Sequence, residues 1–209
     1  MRIKITLIFI VFFLHNSFTQ SKDWYSYDLD SVVSLDMPFD VYETDSISEY
    51  QKSLQLFSED ESTKFIAKKT YIGKRYNNIE TPTLPVNKKT LNKFYLDLID
   101  IFDVIIKSDF DYQKKIYKNN LLGYEVCYKN KEGLRVLQIQ LFYINKSLYT
   151  FSYLNSKGLS NINKENFFDS IIFNNKEKLI QYPGMSLERK FIIGLLIILV
   201  LSFLYRLKS

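Results

Sequence analysis

Residues Phe110–Leu154 read FDYQKKIYKNNLLGYEVCYKNKEGLRVLQIQLFYINKSLYTFSYL, and this stretch decides the fold class. Four runs rich in aromatic and β-branched residues, Phe110–Tyr117, Leu121–Tyr128, Leu134–Ile144 and Ser147–Leu154, are parted by Asn119-Asn120, Lys129–Gly133 and Asn145-Lys146. Such residues suit a pleated surface, and connections this short join antiparallel neighbours, so the stretch is a β-meander. In the third run Val136, Ile139 and Leu141 break strict alternation, which predicts burial on both faces or a bulge.

Upstream the period changes. Leu91, Phe94, Tyr95, Leu98, Ile101, Phe102 and Ile105 recur at helical spacing, so an amphipathic helix opening at Thr90 feeds the meander. Ser31–Met37 alternates Val33, Leu35 and Met37 against Ser34 and Asp36, a half-buried strand that stops at Pro38. Lys52–Ser58 and Thr63–Tyr71 form a hairpin around Glu59–Ser62, and Ile72–Asn87, with Pro82 and Pro85, is a loop. Downstream, Asn161–Asp169 reads as a short helix and Ile171–Phe173 as a closing strand. No repeat interrupts this order, and one domain is the natural unit.

The order of elements resembles the PsbP-like family, of the PsbP/Mog type. The residues that carry the likeness are Val33–Pro38, the helix Leu91–Ile105, Leu122-Gly-Tyr-Glu125 with the meander, Ser147–Phe151 and Asn166–Phe173, over about residues 24–174. The resemblance implies an α+β fold, an α/β/α sandwich around a twisted antiparallel sheet. It also implies a scaffold that binds other proteins more often than it performs chemistry. It carries over no site residue.

The two ends of the 209-residue chain read differently from its middle. Met1–Thr19 has a basic start at Arg2 and Lys4, an apolar run Thr6–Leu14 and small residues Ser17 and Thr19, the layout of a secretory signal cut before Gln20. The alternative is an uncleaved anchor, for which the apolar run is short. Phe191–Tyr205 is apolar and bracketed by Arg189-Lys190 and Arg206 with Lys208. Fifteen residues rise about 22 Å as a helix, a short transmembrane span that flanking cations and Tyr205 extend by snorkelling. A buried core helix and a cleaved sorting tail are the alternatives. The expected organisation is signal peptide 1–19, extracytoplasmic domain 20–174, tether 175–190, one C-terminal transmembrane helix 191–205 and cytoplasmic tail 206–209. The protein is expected in the cell membrane, single-pass, with the domain exported.

Charge follows the same division. The chain has 28 Lys and Arg against 23 Asp and Glu, a formal net of +5. Six of the cations, Arg2, Lys4, Arg189, Lys190, Arg206 and Lys208, belong to the two ends, leaving the exported part with 22 against 23, a net of −1. The basic balance is therefore topogenic, and nucleic acid is not an expected partner, because phosphate binding needs a concentrated cationic excess.

Chemistry-bearing residues are sparse. The single His, His15, lies in the leader, which removes Ser-His-Asp and Cys-His catalysis and His-containing zinc sites from the exported domain. Cys127 is alone and reads as a buried structural thiol, and no glycine-rich phosphate loop is present. Asp97, Asp100 and Asp103 share the polar side of the helix, and Asp109 with Asp111 and Glu59 to Glu61 fall in turns; all read as solvated charge rather than metal or acid–base sites. No catalytic, cofactor-binding or metal residue is nominated, and no cofactor is expected. The expectation is a non-enzymatic, membrane-anchored binding or accessory module. Its partners are the membrane through its C-terminal helix and a protein or small ligand at the exported domain. The rival is an enzyme that uses carboxylates or Tyr.

Overall fold

The computed structural model describes residues 23–38, 40–47, 52–72, 83–174 and 178–183. The expected signal, the transmembrane helix, the cytoplasmic tail and the end of the tether lie outside them. Among the described residues no helix is long and apolar enough to cross a membrane.

The fold is α+β, with two antiparallel sheets and two helices among the described residues. The smaller sheet holds β1 (Trp24–Asp28), β2 (Val33–Pro38) and β10 (Ile172–Phe173) in the order β1-β2-β10. The larger has seven strands: β3 (Tyr42–Ile47), β4 (Lys52–Glu59), β5 (Thr63–Tyr71), β6 (Asp109–Lys118), β7 (Leu121–Lys129), β8 (Arg135–Ile144) and β9 (Ser147–Asn155). Their order is β3-β4-β5-β9-β8-β7-β6. The chain leaves β5, crosses as helix α1 (Lys88–Ile105), enters at the far edge as β6, and meanders back until β9 pairs with β5. Helix α2 (Asn161–Asp169) then leads to β10.

Each meander connection has a local cause. Asn119 and Asn120 take positive φ of 50° and 62°, and Asn145 and Lys146 take 49° and 64°. That is the backbone of a two-residue turn matched to strand twist, and Asn tolerates it best among residues with a Cβ. Helix α1 starts two residues before Thr90. Asn87 is its cap, accepting from the Thr90 N–H at 2.9 Å while Thr90 Oγ1 accepts from the Asn87 N–H at 2.9 Å. Thr90 is thus the reciprocal partner of the cap rather than the opening residue.

The central strands of the large sheet are buried on both faces. Beneath α1 lie Leu122, Tyr124, Val126 and Tyr128 of β7 with Ile139, Leu141 and Tyr143 of β8, packed on Leu91, Phe94, Tyr95, Leu98 and Ile99. The opposite face presents Phe65, Ala67, Phe142, Tyr149, Phe151 and Tyr153 to the small sheet and α2, through Val33, Leu35, Met37, Phe167 and Phe173. Strand β8 is therefore buried almost without a gap from Val136 to Ile144, Gln138 and Gln140 included, and bulges sit between Phe110 and Tyr112 and between Tyr128 and Lys129. The last turn of α1 departs from the sequence reading. Ile105 is 67% exposed, and Ile99 rather than Ile101 joins the buried set, because the buried residues follow the i, i+4 rows Leu91-Tyr95-Ile99 and Phe94-Leu98.

Strands β1 and β3 escaped the sequence reading. Trp24–Asp28 and Tyr42–Asp45 are largely exposed edge segments, so neither carries the alternation that betrays a half-buried strand.

Candidate functional site

The β8–β9 turn, Asn145-Lys146, is where described cavities and the C-terminal segment meet. Residues 178–183, inside the stretch read as a tether, form a strap against this end of the domain. The Asn145 N–H donates to the Ile180 carbonyl at 2.8 Å, and the Ile180 N–H donates to Asn145 Oδ1 at 2.9 Å. The next side chain completes the attachment. Gln181 Oε1 accepts from the Leu122 N–H at 2.8 Å, and its Nε2 donates to the carbonyls of Leu122 and Tyr143 at 2.7 and 3.2 Å.

This works because β7 and β8 part company at their ends. Their ladder closes with Gly123 opposite Phe142, leaving the backbone groups of Leu122 and Tyr143 to find other partners. Tyr95 of α1 supplies the second bridge: its hydroxyl donates to the Leu122 carbonyl at 2.8 Å and accepts from the Tyr143 N–H at 2.7 Å. The Gln181 carboxamide thus stands in for a peptide group between two strands. Burial pushes the Tyr95 ionisation upward, against the hydrogen bonds from Tyr143 and Gln181, so the hydroxyl is neutral at any physiological pH.

Two cavities flank the turn, one on each face of the sheet. On the α1 side, about 500 Å³ lies between Leu84, Pro85 and Val86 and the strap residues Ile180, Tyr182 and Pro183. On the other side, about 600 Å³ lies over Val32, Leu54 and Tyr149, with Lys52, Lys69 and Tyr71 around it.

Two residues that line the second cavity, Lys69 and Tyr149, are held by Asp30. Asp30 Oδ1 accepts from the N–H groups of Val32 and Val33, both at 2.8 Å, which fixes the turn into β2. Its Oδ2 accepts from Lys69 Nζ at 2.6 Å and from the Tyr149 hydroxyl at 2.7 Å. Burial raises the Asp30 pKa, but Lys69, Tyr149 and the two amides outweigh it and hold the carboxyl below its usual range. The stability this group contributes is therefore present above about pH 4, the carboxylate value of an unfolded chain, and disappears as pH falls through the lower folded value. Asp30→Asn is expected to lower Tm at pH 7, and the gap from the parent chain is expected to narrow as pH approaches 3. A gap independent of pH would contradict the pairing.

A second polar cluster occupies the face of β6–β8 opposite α1. Glu125 Oε1 accepts from Tyr112 at 2.9 Å and from Lys114 at 2.8 Å, and its Oε2 accepts from Gln140 at 3.0 Å. Burial raises the Glu125 pKa, yet Lys114, Tyr112 and Gln140 bring it below the usual range. Asp109 and Asp111, read as turn residues, lie in β6, because the strand begins at Asp109, and Asp111 is held by Lys129 at 2.5 Å and Arg135 at 2.6 Å.

The other residues weighed from the sequence are dispersed. Asp97 meets Lys93, Asp103 accepts from the Tyr128 hydroxyl at 2.7 Å, Glu59 meets Lys64, and Asp60 caps the β4–β5 turn through the N–H groups of Ser62 and Thr63. Cys127 is buried, and that burial raises its thiol pKa. Among the described residues no three His, Cys, Asp or Glu are grouped to hold a metal ion. Sequence reasoning passed over Asp30, Lys69, Tyr149 and Gln181. The Asp30-Ser-Val turn was the available signal for the first; Gln181 sits in a polar stretch with none.

No protein-family model matches the chain, and no curated protein matches it. Among solved structures it is similar to the solution structure of cyanobacterial PsbP from Synechocystis sp. PCC 6803, at 10% identity and a TM-score of 0.46, covering 76% of this chain and 96% of that one. The resemblance to PsbP stands as a weak likeness of fold.

Proposed function

We propose that the chain is a membrane-anchored, extracytoplasmic binding or accessory module without catalytic activity. It is an α/β/α sandwich exported behind residues 1–19 and retained by the apolar helix 191–205. The observation that carries this reading is the strap: residues 178–183 are hydrogen-bonded to the domain, and Phe191 follows Pro183 by eight positions. Eight residues reach at most about 29 Å, so a helix at 191–205 keeps the Asn145-Lys146 end of the domain beside the bilayer. Binding rather than chemistry is supported by the cavities themselves. Their walls are mainly apolar, and Asp30, the carboxylate that binds Lys69 and Tyr149 of the second, is committed to those two and to the β2 turn.

Intact-mass measurement of the protein extracted from native membranes tests the organisation. The expected mass is that of Gln20–Ser209. A chain beginning at Met1 would overturn the cleaved signal, and one ending before Phe191 would replace the anchor with a processed sorting tail.

A further inference from the structure

We propose that the cavity under the strap receives an acyl chain of an anionic phospholipid drawn from the bilayer that anchors the protein. The inference rests on the membrane-anchored reading above and adds to it a site and a ligand chemistry.

The first argument is the character of the walls. Leu84, Pro85 and Val86 face Ile180, Tyr182 and Pro183 across about 500 Å³, a volume in the range of small-ligand sites. Val86 and Ile180 remain 58% and 42% exposed and Tyr182 36%, an apolar patch gathered at one end of the domain. The second is that the polar groups at the back of the cavity are already engaged. The Gln181 amide is spent on Leu122 and Tyr143, and Asn145 on Ile180. What remains offers hydrocarbon to its occupant and asks little hydrogen bonding of it, which suits a lipid tail better than a sugar or a nucleotide.

The third argument is charge. Lys146 lines the cavity, and exposed Lys88 and Lys89 follow Val86 and the Asn87 cap directly. Those two lysines occupy the first turn of α1, which has no acidic residue, so they sit at the positive end of the helix dipole, where a cation is unfavourable unless an anion is near. A phosphate headgroup at the cavity mouth supplies that anion. The fourth is reach: Phe191 follows Pro183 by eight positions, so the mouth lies within about 29 Å of the expected membrane helix.

The test uses the full chain in vesicles of phosphatidylglycerol and phosphatidylcholine, with a fraction of the phosphatidylglycerol carrying a photoreactive diazirine on its acyl chain. Crosslinks mapped by mass spectrometry are expected in residues 84–86 and 178–183 as well as in 191–205. Val86→Arg, on an exposed side chain outside both cores, is expected to cut labelling of the cavity residues about tenfold while leaving that of 191–205 unchanged. Lys146→Glu is expected to reduce the preference for phosphatidylglycerol over phosphatidylcholine about fivefold. Labelling confined to 191–205, or cavity labelling indifferent to Val86→Arg, would overturn the proposal, the second outcome pointing to labelling from the nearby bilayer surface rather than from a chain inside the cavity. Alkaline-carbonate extraction of the same vesicles reports on anchoring separately. Release of the chain defeats the anchored reading, while the mapped crosslinks still decide the cavity.

Discussion

Gly123→Ala is expected to lower the stability of the domain by about 3 kcal/mol, or about 6–12 °C in Tm for a chain of this size. A Cβ built on Gly123 would stand 2.5 Å from Phe142 Cε1 and 2.7 Å from the Leu141 carbonyl oxygen. Neither neighbour yields cheaply. The carbonyl belongs to the β8 backbone, and the Phe142 ring packs against Phe151 and against Phe173 of β10, with centroids 6.4 and 4.9 Å away. A methyl group at position 123 therefore displaces a ring that couples the large sheet to the small one, and the damage spreads to the β2–β10 pairing. Thermal unfolding of the full chain, followed by near-ultraviolet circular dichroism, measures the effect. Adding Phe142→Leu to Gly123→Ala is expected to restore part of the loss, because the smaller side chain vacates the space the methyl needs. An unchanged Tm in the single variant would show that the ring does not sit over the glycine.

What could be read in advance follows from the range of the interaction that carries it. The helix was visible because Leu91, Phe94, Tyr95 and Leu98 repeat within two turns, and the meander because Asn119-Asn120 and Asn145-Lys146 meet a local backbone requirement. The β2 alternation of Val33, Leu35 and Met37 was legible for the same reason. The pairing of β5 with β9 was not, since its partners lie some eighty positions apart and no local signal names them. The small sheet was legible in part: the closing strand read at Ile171–Phe173 is β10, whereas β1 exposes most of its side chains and gave no signal.

The site was less legible than the fold because it is assembled from still more distant residues. Asp30, Lys69 and Tyr149 come from a turn, β5 and β9 and meet only once that long-range pairing has formed. The Glu125 cluster needs the register that sets Lys114 and Gln140 on either side of it. Lys118 is a similar case. It donates to the carbonyls of Phe168 and Asp169 at 2.6 and 3.2 Å, so an edge-strand cation caps the C-terminal end of α2. The burial this demands lowers its pKa.

The strap makes the second strong prediction. Tyr95→Phe removes one oxygen that serves the Leu122 carbonyl and the Tyr143 N–H, and the latter sits at a fully buried position in the α1 core. An unsatisfied buried N–H costs about 1–3 kcal/mol, and Tyr95→Phe is expected near the top of that range. Gln181→Leu removes the acceptor for the Leu122 N–H and a donor to two carbonyls, but at a partly exposed position where water replaces some of the loss, so about 1–2 kcal/mol is expected. The two side chains act on the same pair of strand ends, and Gln181 Nε2 itself lies 3.4 Å from the Tyr95 hydroxyl. Their effects should therefore couple, with a double-mutant interaction of about 1 kcal/mol or more, whereas independent sites would add. Hydrogen exchange separates this from a general loss of packing: Gln181→Leu is expected to expose the amides of Leu122 and Ile180 while leaving those of β5 and β9 protected. If the strap ties the domain to the proposed membrane helix at 191–205, the same substitution frees the domain to swing away from the bilayer, and acyl-chain labelling at 84–86 falls with it. Additive effects on stability together with unchanged labelling would mean that Gln181 fills a gap between strands without holding the domain to its anchor.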